Sequence, residues 1–144
     1  MAPLPASARD LLANEPLAHV VTLNRDGSPQ VSCTWITVDG DELVIATLGE
    51  GQKIKNLRRD PRITLSFRAQ TRNAMGLTEY LVVHGRATIE VGGAAALLQE
   101  QAYTYIGPGT RFPPMDNPPP GYRIRVQIER LGGVGPWTPG AGNG

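Results

Sequence analysis

The sequence predicts a mainly β protein, a small antiparallel barrel of six or so strands with short helices in its connections. Three observations carry that expectation. Apolar segments with strand character recur along the chain, and Asp-Gly pairs join the first three of them. The stretches with helical spacing are short and fall between strands. No internal repeat or composition break divides the 144 residues, so one core serves the whole chain.

Each element has a local cause. Ser7 precedes an apolar-periodic stretch with Asp10 at the third helical position, which predicts a capped helix over 7–15, ended by Pro16. Residues 17–24 read as the first strand. Asp26-Gly27 reads as a hairpin turn, because glycine accepts positive φ without steric cost. Residues 29–38 form the second strand, "DGDE" a second turn and residues 42–48 the third strand. From Gln52 to Arg59 the strand alternation stops, and Ile54 and Leu57 stand three apart as one buried helix edge. Asp60-Pro61 ends that helix, since the residue before proline is pushed out of the α region.

Residues 62–69 and 79–90 are the next two strands, the latter interrupted at Gly85, with a loop over 70–78 between them. Residues 92–106 read as a helix, and the proline-rich stretch after it cannot be regular. In the last strand Tyr122, Ile124, Val126 and Ile128 share one face, with Arg123, Arg125, Gln127 and Glu129 on the other. The domain spans residues 1–136, and residues 137–144 are expected to form a flexible tail.

Composition narrows the function classes. A net charge of +1 exerts no whole-molecule pull on nucleic acid or an anionic membrane. No apolar run approaches the roughly 18–20 residues of a membrane span. The N-terminus lacks the basic and apolar regions of a signal peptide. Cys33 is alone, so neither an internal disulfide nor a cysteine-cluster metal site is expected, and a cytoplasmic location is the simplest reading. His19 and His84 stand in strands without a second ligand at metal spacing. No G-x-S-x-G elbow, Walker loop or G-x-G-x-x-G fingerprint is present. Trp35 and Trp137 read as packing residues, either of which has a ring able to flank a planar ligand.

One segment departs from this neutrality. "GQKIKNLRRDPR", residues 51–62, carries Lys53, Lys55, Arg58, Arg59 and Arg62 against Asp60 alone. A solvated helix face is the bland explanation for such a run. Two details favour an anion site at its start. Gly49 and Gly51 lie where a strand end meets a helix start, where free N–H groups and the helix dipole attract anions. Lys53 also falls in the first helical turn, where a cation is unfavourable unless an anion sits there.

The stretches "DGSPQVSCTWITVDGDELVIAT" and "GQKIKNLRRDPRITLSF" resemble the pyridoxamine-5′-phosphate-oxidase-like split β-barrel proteins. They are most similar to the branch of small actinobacterial reductases that use the deazaflavin coenzyme F420. Twelve arginines against two lysines, with abundant Ala, Gly and Pro, hint at the same GC-rich background. The resemblance runs from Leu11 to Leu131, with K-x-K-N-L-R-R-D-P-R its most specific piece.

It implies a homodimer with two cofactor sites at the subunit interface. Thr47, Gln52, Lys53 and Asn56 would hold the cofactor phosphate, with Lys55 as a secondary contact. Gln30, Ser32, Cys33 and Thr34 would line the ring, largely through backbone groups. Gln52-Lys53 stands where the FMN-dependent oxidases tend to carry Arg-Lys. Lys55, Arg58, Arg59 and Arg62 would form a track for the acidic tail of F420. Residues 70–78 and the proline-rich excursion, with Arg111 and Met115, would face the substrate.

The function so implied is hydride transfer from reduced F420 to an electron-poor conjugated small molecule: an enone, a quinone or a tetrapyrrole such as biliverdin. The alternatives are an FMN-binding oxidoreductase of the same fold and a non-catalytic F420 carrier or sensor. No catalytic side chain, metal, nucleic acid or membrane is called for.

Overall fold

A computed structural model describes residues 2–14 and 16–138. Its elements in chain order are α1 (Ala6–Ala13), β1 (Ala18–Leu23), β2 (Pro29–Thr34), β3 (Thr37–Asp39), β4 (Glu42–Thr47), α2 (Gln52–Arg59), β5 (Arg62–Arg72), β6 (Thr78–Val91), α3 (Ala94–Tyr105) and β7 (Tyr122–Val134). The seven strands form one antiparallel sheet in the order β2-β1-β5-β6-β7-β4-β3. Its two edge strands are consecutive in the chain. Thr34 and Thr37 are three residues apart, so the two edges approach within about 11 Å at that corner. A seven-stranded sheet whose edges meet must curl, and the result is a split β-barrel.

Alternation fills the barrel. Val20, Leu43, Ile45, Leu65, Phe67, Leu81, Val83, Ile124, Val126 and Ile128 are fully buried. Each such side chain contributes about 1.5–3 kcal/mol relative to exposure. Ile54 and Leu57, the edge expected of α2, join this core. The continuous apolar run of β4 has a separate cause: Ala46 is buried on the outside against Ala94 and Leu98 of α3. At Gly85 a Cβ would lie 2.3 Å from the Gln127 carbonyl oxygen, and the β6–β7 register shifts there, leaving Glu129 bulged.

The structure departs from the sequence reading at five places. Strand 29–38 is two strands, because Trp35 stacks on Tyr105 and the Ile36 N–H donates to Tyr105 Oη rather than to a ladder; this makes the count seven. Ser7 does not cap α1: Pro5 holds the N-cap and Ser7 lies inside the first turn. The loop over 70–78 is shorter than expected: residues 70–72 extend β5 and Thr78 starts β6, joined by a turn in which Asn73 Oδ1 accepts from the Met75 and Leu77 N–H groups. β7 runs on to Val134. Finally, Trp137 is no part of a loose tail: it is buried and its Nε1–H donates to Tyr80 O at 3.2 Å. Residues 139–144 lie outside the described residues.

Candidate functional site

The basic segment resolves into two kinds of cation. Lys53 is half-buried in the first turn of α2, and its Nζ lies 3.3 Å from Ser32 Oγ on β2. Among the described residues no carboxylate lies within ion-pair distance of it. Burial lowers its pKa, since a partly desolvated ammonium with only a hydroxyl beside it is disfavoured. The first turn of α2 contains no acid to offset the charge.

The arginines are committed elsewhere. Arg58 pairs with Glu50 and lies 5.4 Å from the centroid of the Tyr122 ring. Arg59 donates to the Leu23 carbonyl. Arg62 forks onto Asp60 at 2.7 and 3.0 Å and holds that carboxyl at about 2. Only Lys55 in the segment is exposed with no partner among the described residues. The expected arginine track for an acidic tail is therefore not free: its guanidinium groups already meet anions or carbonyls of this chain.

The sequence-derived ligand set divides as well. Asn56 is fully buried; its Nδ2 donates to Thr22 Oγ1 at 3.0 Å and Asn24 Oδ1 at 2.9 Å, and its Oδ1 accepts from Gln52 Nε2 at 2.8 Å. With both N–H groups used it has none for a phosphate, and it serves to hold Gln52. Thr47 ends β4, where its hydroxyl is turned to the Gly49 carbonyl at 3.4 Å, and no contact joins it to Lys53. Gln52 is exposed. Together with Asn24, Arg25, Asp26 and Gln30 it lines an open cavity of about 590 Å³ beside the β1–β2 hairpin.

On β2, Gln30, Ser32 and Thr34 share the face of Thr22, Val20 and Ala18, whereas Cys33 stands opposite His19 on the outer face. The Cys33 side chain is thus separated from the Ser32–Lys53 contact. Its backbone is another matter. The Asn24 N–H to Ser28 O bond sets the ladder phase, so alternate pairs place the N–H and C=O of Val31 and Cys33 on the free edge of β2. No described strand covers that edge.

The tryptophans also part: Trp137 is sealed in, while Trp35, half-buried at the end of β2, stacks on Tyr105 at 5.6 Å and meets Phe112 edge-on at 5.3 Å. Phe112 N–H donates to Gln99 Oε1, and Gln99 Nε2 donates to Thr110 O, which pins the start of the proline-rich excursion onto α3. Arg111 is turned to Asp116. Two other clefts, of about 510 and 540 Å³, lie between α1, β3 and α3 and beside Trp137; neither is lined by a half-buried cation lacking a carboxylate.

Thr22, Asn24 and Arg25 were not among the sequence candidates. Thr22 left a signal: it occupies the buried phase of β1 after Ala18 and Val20, and a buried hydroxyl needs a partner.

The seven strands close a split barrel, with Lys53 of α2 beside Ser32 on its edge strand β2. The chain belongs to the pyridoxamine 5′-phosphate oxidase family, whose profile matches residues 4–131. Among solved structures it is similar to an F420 reductase, with 25% identity, a TM-score of 0.72, and coverage of 89% of this chain and 98% of that one. An FAD-binding protein from Mesorhizobium loti is 19% identical, with a TM-score of 0.61 and coverage of 87% and 89%. A heme binding protein from Mycobacterium smegmatis is 18% identical, with a TM-score of 0.61 and coverage of 88% and 51%. Among curated proteins none matches. No helix of the described residues is long and apolar enough to cross a membrane.

Proposed function

We propose that the protein is an oxidoreductase that uses reduced coenzyme F420 to deliver a hydride to an electron-poor conjugated small molecule, such as an enone, quinone or tetrapyrrole. The observation that carries this reading is Lys53, a half-buried ammonium with a hydroxyl and no carboxylate beside it. Family membership and the likeness to an F420 reductase support a flavin-type cofactor and redox chemistry.

The residues fit such a group in two parts. Lys53, with Ser32 and Gln52, receives its phosphate; the free backbone edge at Val31 and Cys33, with Gln30 and Thr34, borders its ring. Lys55 is left to meet further negative charge. When bound, the deazaflavin supplies the hydride, and the chain supplies orientation, exclusion of water and charge complementarity. The open edge of β2 and the exposed Val31 are where a second copy would complete the site in a homodimer.

FMN is the second reading, favoured by one observation: with Arg58, Arg59 and Arg62 committed, little remains to hold a polyanionic tail. Separate titrations with F420 and FMN, by quenching and by calorimetry, decide between them. The F420 reading expects tighter binding of F420, an affinity at least about tenfold lower in Lys53→Ala, and F420H2 oxidation with a quinone or enone panel. Unchanged affinity in Lys53→Ala would sink the phosphate assignment. Tight binding with no turnover on any acceptor would identify a carrier or sensor instead.

A further inference from the structure

Asp26 is the fixed end of a hydrogen-bond chain that runs through the buried Asn56 and Thr22 and returns to Gln30, on the same cavity that Asp26 lines. An ionised carboxylate only accepts, so Ser28 Oγ, 2.5 Å from Asp26 Oδ1, must donate to it. With its one proton so placed, Ser28 accepts from Asn24 Nδ2 at 3.2 Å, which turns Asn24 Oδ1 toward α2. Asn56 must then present Nδ2, and it donates to Asn24 Oδ1 and Thr22 Oγ1. Thr22, which now accepts, gives its own proton to Gln30 Oε1 at 2.8 Å. Gln30 Oε1 is thereby turned inward to Thr22, and both N–H groups of its Nε2 have no partner among the described residues. Asp26 fixes the sense as far as Thr22; were Gln30 turned to donate as well, the proton of the buried Thr22 hydroxyl would have no partner among the described residues. Gln30 lines the open cavity beside the hairpin, on the β2 face that meets Lys53 through Ser32.

We propose that Gln30 is a recognition residue that presents its Nε2 donors and selects ligands offering an acceptor oxygen at β2, and that Thr22 and Asn56 are positioning residues holding its amide in that sense. The location of the ligand rests on the Lys53 reading; the direction of the relay does not. Lys53 and Gln30 together make a face of donors, which suits either a phosphate oxygen or a carbonyl oxygen of a planar heterocycle. A ligand that offers an N–H at that point leaves two donors facing each other and is rejected.

Side-chain amide ¹H–¹⁵N spectra test this in two stages. In the ligand-free protein the Gln30 amide protons exchange rapidly with water while those of Asn56 are protected; protection of Gln30 equal to that of Asn56 overturns the relay. The protein is then titrated with F420, FMN, riboflavin and inorganic phosphate. The Gln30 pair moves with a cofactor that binds. A matching shift with riboflavin assigns a ring carbonyl, and one with phosphate assigns a phosphate oxygen.

Gln30→Glu, isosteric but without donors, weakens cofactor binding at least about tenfold. Thr22→Val weakens it several-fold and abolishes the Gln30 shift, and Thr22→Ser restores both. A purely structural role for Thr22 would lower stability without altering that shift. If Lys53→Ala abolishes binding yet the Gln30 pair never moves in the wild type, the recognition role is overturned and the Lys53 reading stands. If no probe binds, both are overturned.

Discussion

The two halves of the α2 segment carry similar charge and do opposite things. In the first half, Lys53 is half-buried and meets only a hydroxyl, beside Asn56, whose every amide group is used inside the protein. In the second half, Arg58, Arg59 and Arg62 are well exposed, and each is matched by a carboxylate or a carbonyl of this chain. A run of cations in a sequence is therefore not a measure of free positive charge. What counts is how the fold disposes of each cation, and here Lys53 is the one that is both half-buried and without a carboxylate.

The comparison breaks most sharply at Asn56. Asn56→Ala strands the Thr22 hydroxyl, the Asn24 carbonyl and a Gln52 donor around a new cavity, so a loss of about 2–4 kcal/mol is expected in urea unfolding. A loss under about 0.5 kcal/mol would mean that the buried network does not hold the helix to the hairpin.

Lys53→Met comes next and changes sign with conditions. Without ligand it raises stability by about 1 kcal/mol, since it removes a half-buried, unpaired charge; with cofactor in excess it lowers the melting temperature relative to wild type. Its pH signature is distinct. The folded protein holds the Lys53 proton less tightly than the unfolded chain, so unfolding takes up a proton between the lowered pKa and 10.5. Wild-type stability therefore rises with pH relative to the Met variant across that window. Parallel curves would show that Lys53 is solvated like any surface lysine.

These contrasts indicate why part of the molecule was legible in the sequence. Asp26-Gly27 and Asp39-Gly40 announced their hairpins because a turn is decided within four residues; Gly27 and Gly40 do adopt positive φ, 85° and 63°. The bounds of α2 were legible for the same reason, from Ile54, Leu57 and Asp60-Pro61. The break at Trp35–Ile36 was not, because its cause is Tyr105, 69 residues later. Asn56 read as a ligand since its type and position suit one; its occupation is set by Thr22, 34 residues earlier. Lys53 could be suspected from its place in a first helical turn, yet the lack of a carboxylate around it is a property of the folded surface alone.

On the exposed half the expected effects are small. Arg58→Met removes one surface pair and a cation–π contact, which together are worth about 0–1 kcal/mol and fade with salt. Cofactor affinity should stay within about twofold of wild type, in contrast with Lys53→Ala. A tenfold loss of F420 affinity in Arg58→Met, with FMN affinity unchanged, would restore the arginine to an acidic-tail track and would require it to leave Glu50.

The smallest effect belongs to Asp60, and it sharpens the contrast because its shift has the opposite origin. Lys53 is perturbed by burial without a partner; Asp60 is perturbed by its hydrogen bonds to Arg62, with little burial. A carboxyl held at about 2 rather than 3.8 releases its proton more readily when folded, so its contribution is full above pH 3.8 and fades as the pH falls through about 2. Asp60→Asn should therefore converge with wild type in acid and lie slightly below it at neutral pH, with Arg62→Gln behaving alike. Superimposed curves across the whole range would mean that the Arg62–Asp60 fork is a surface contact without consequence. The second half of the segment would then be solvated charge, in contrast to Lys53, whose pKa burial lowers.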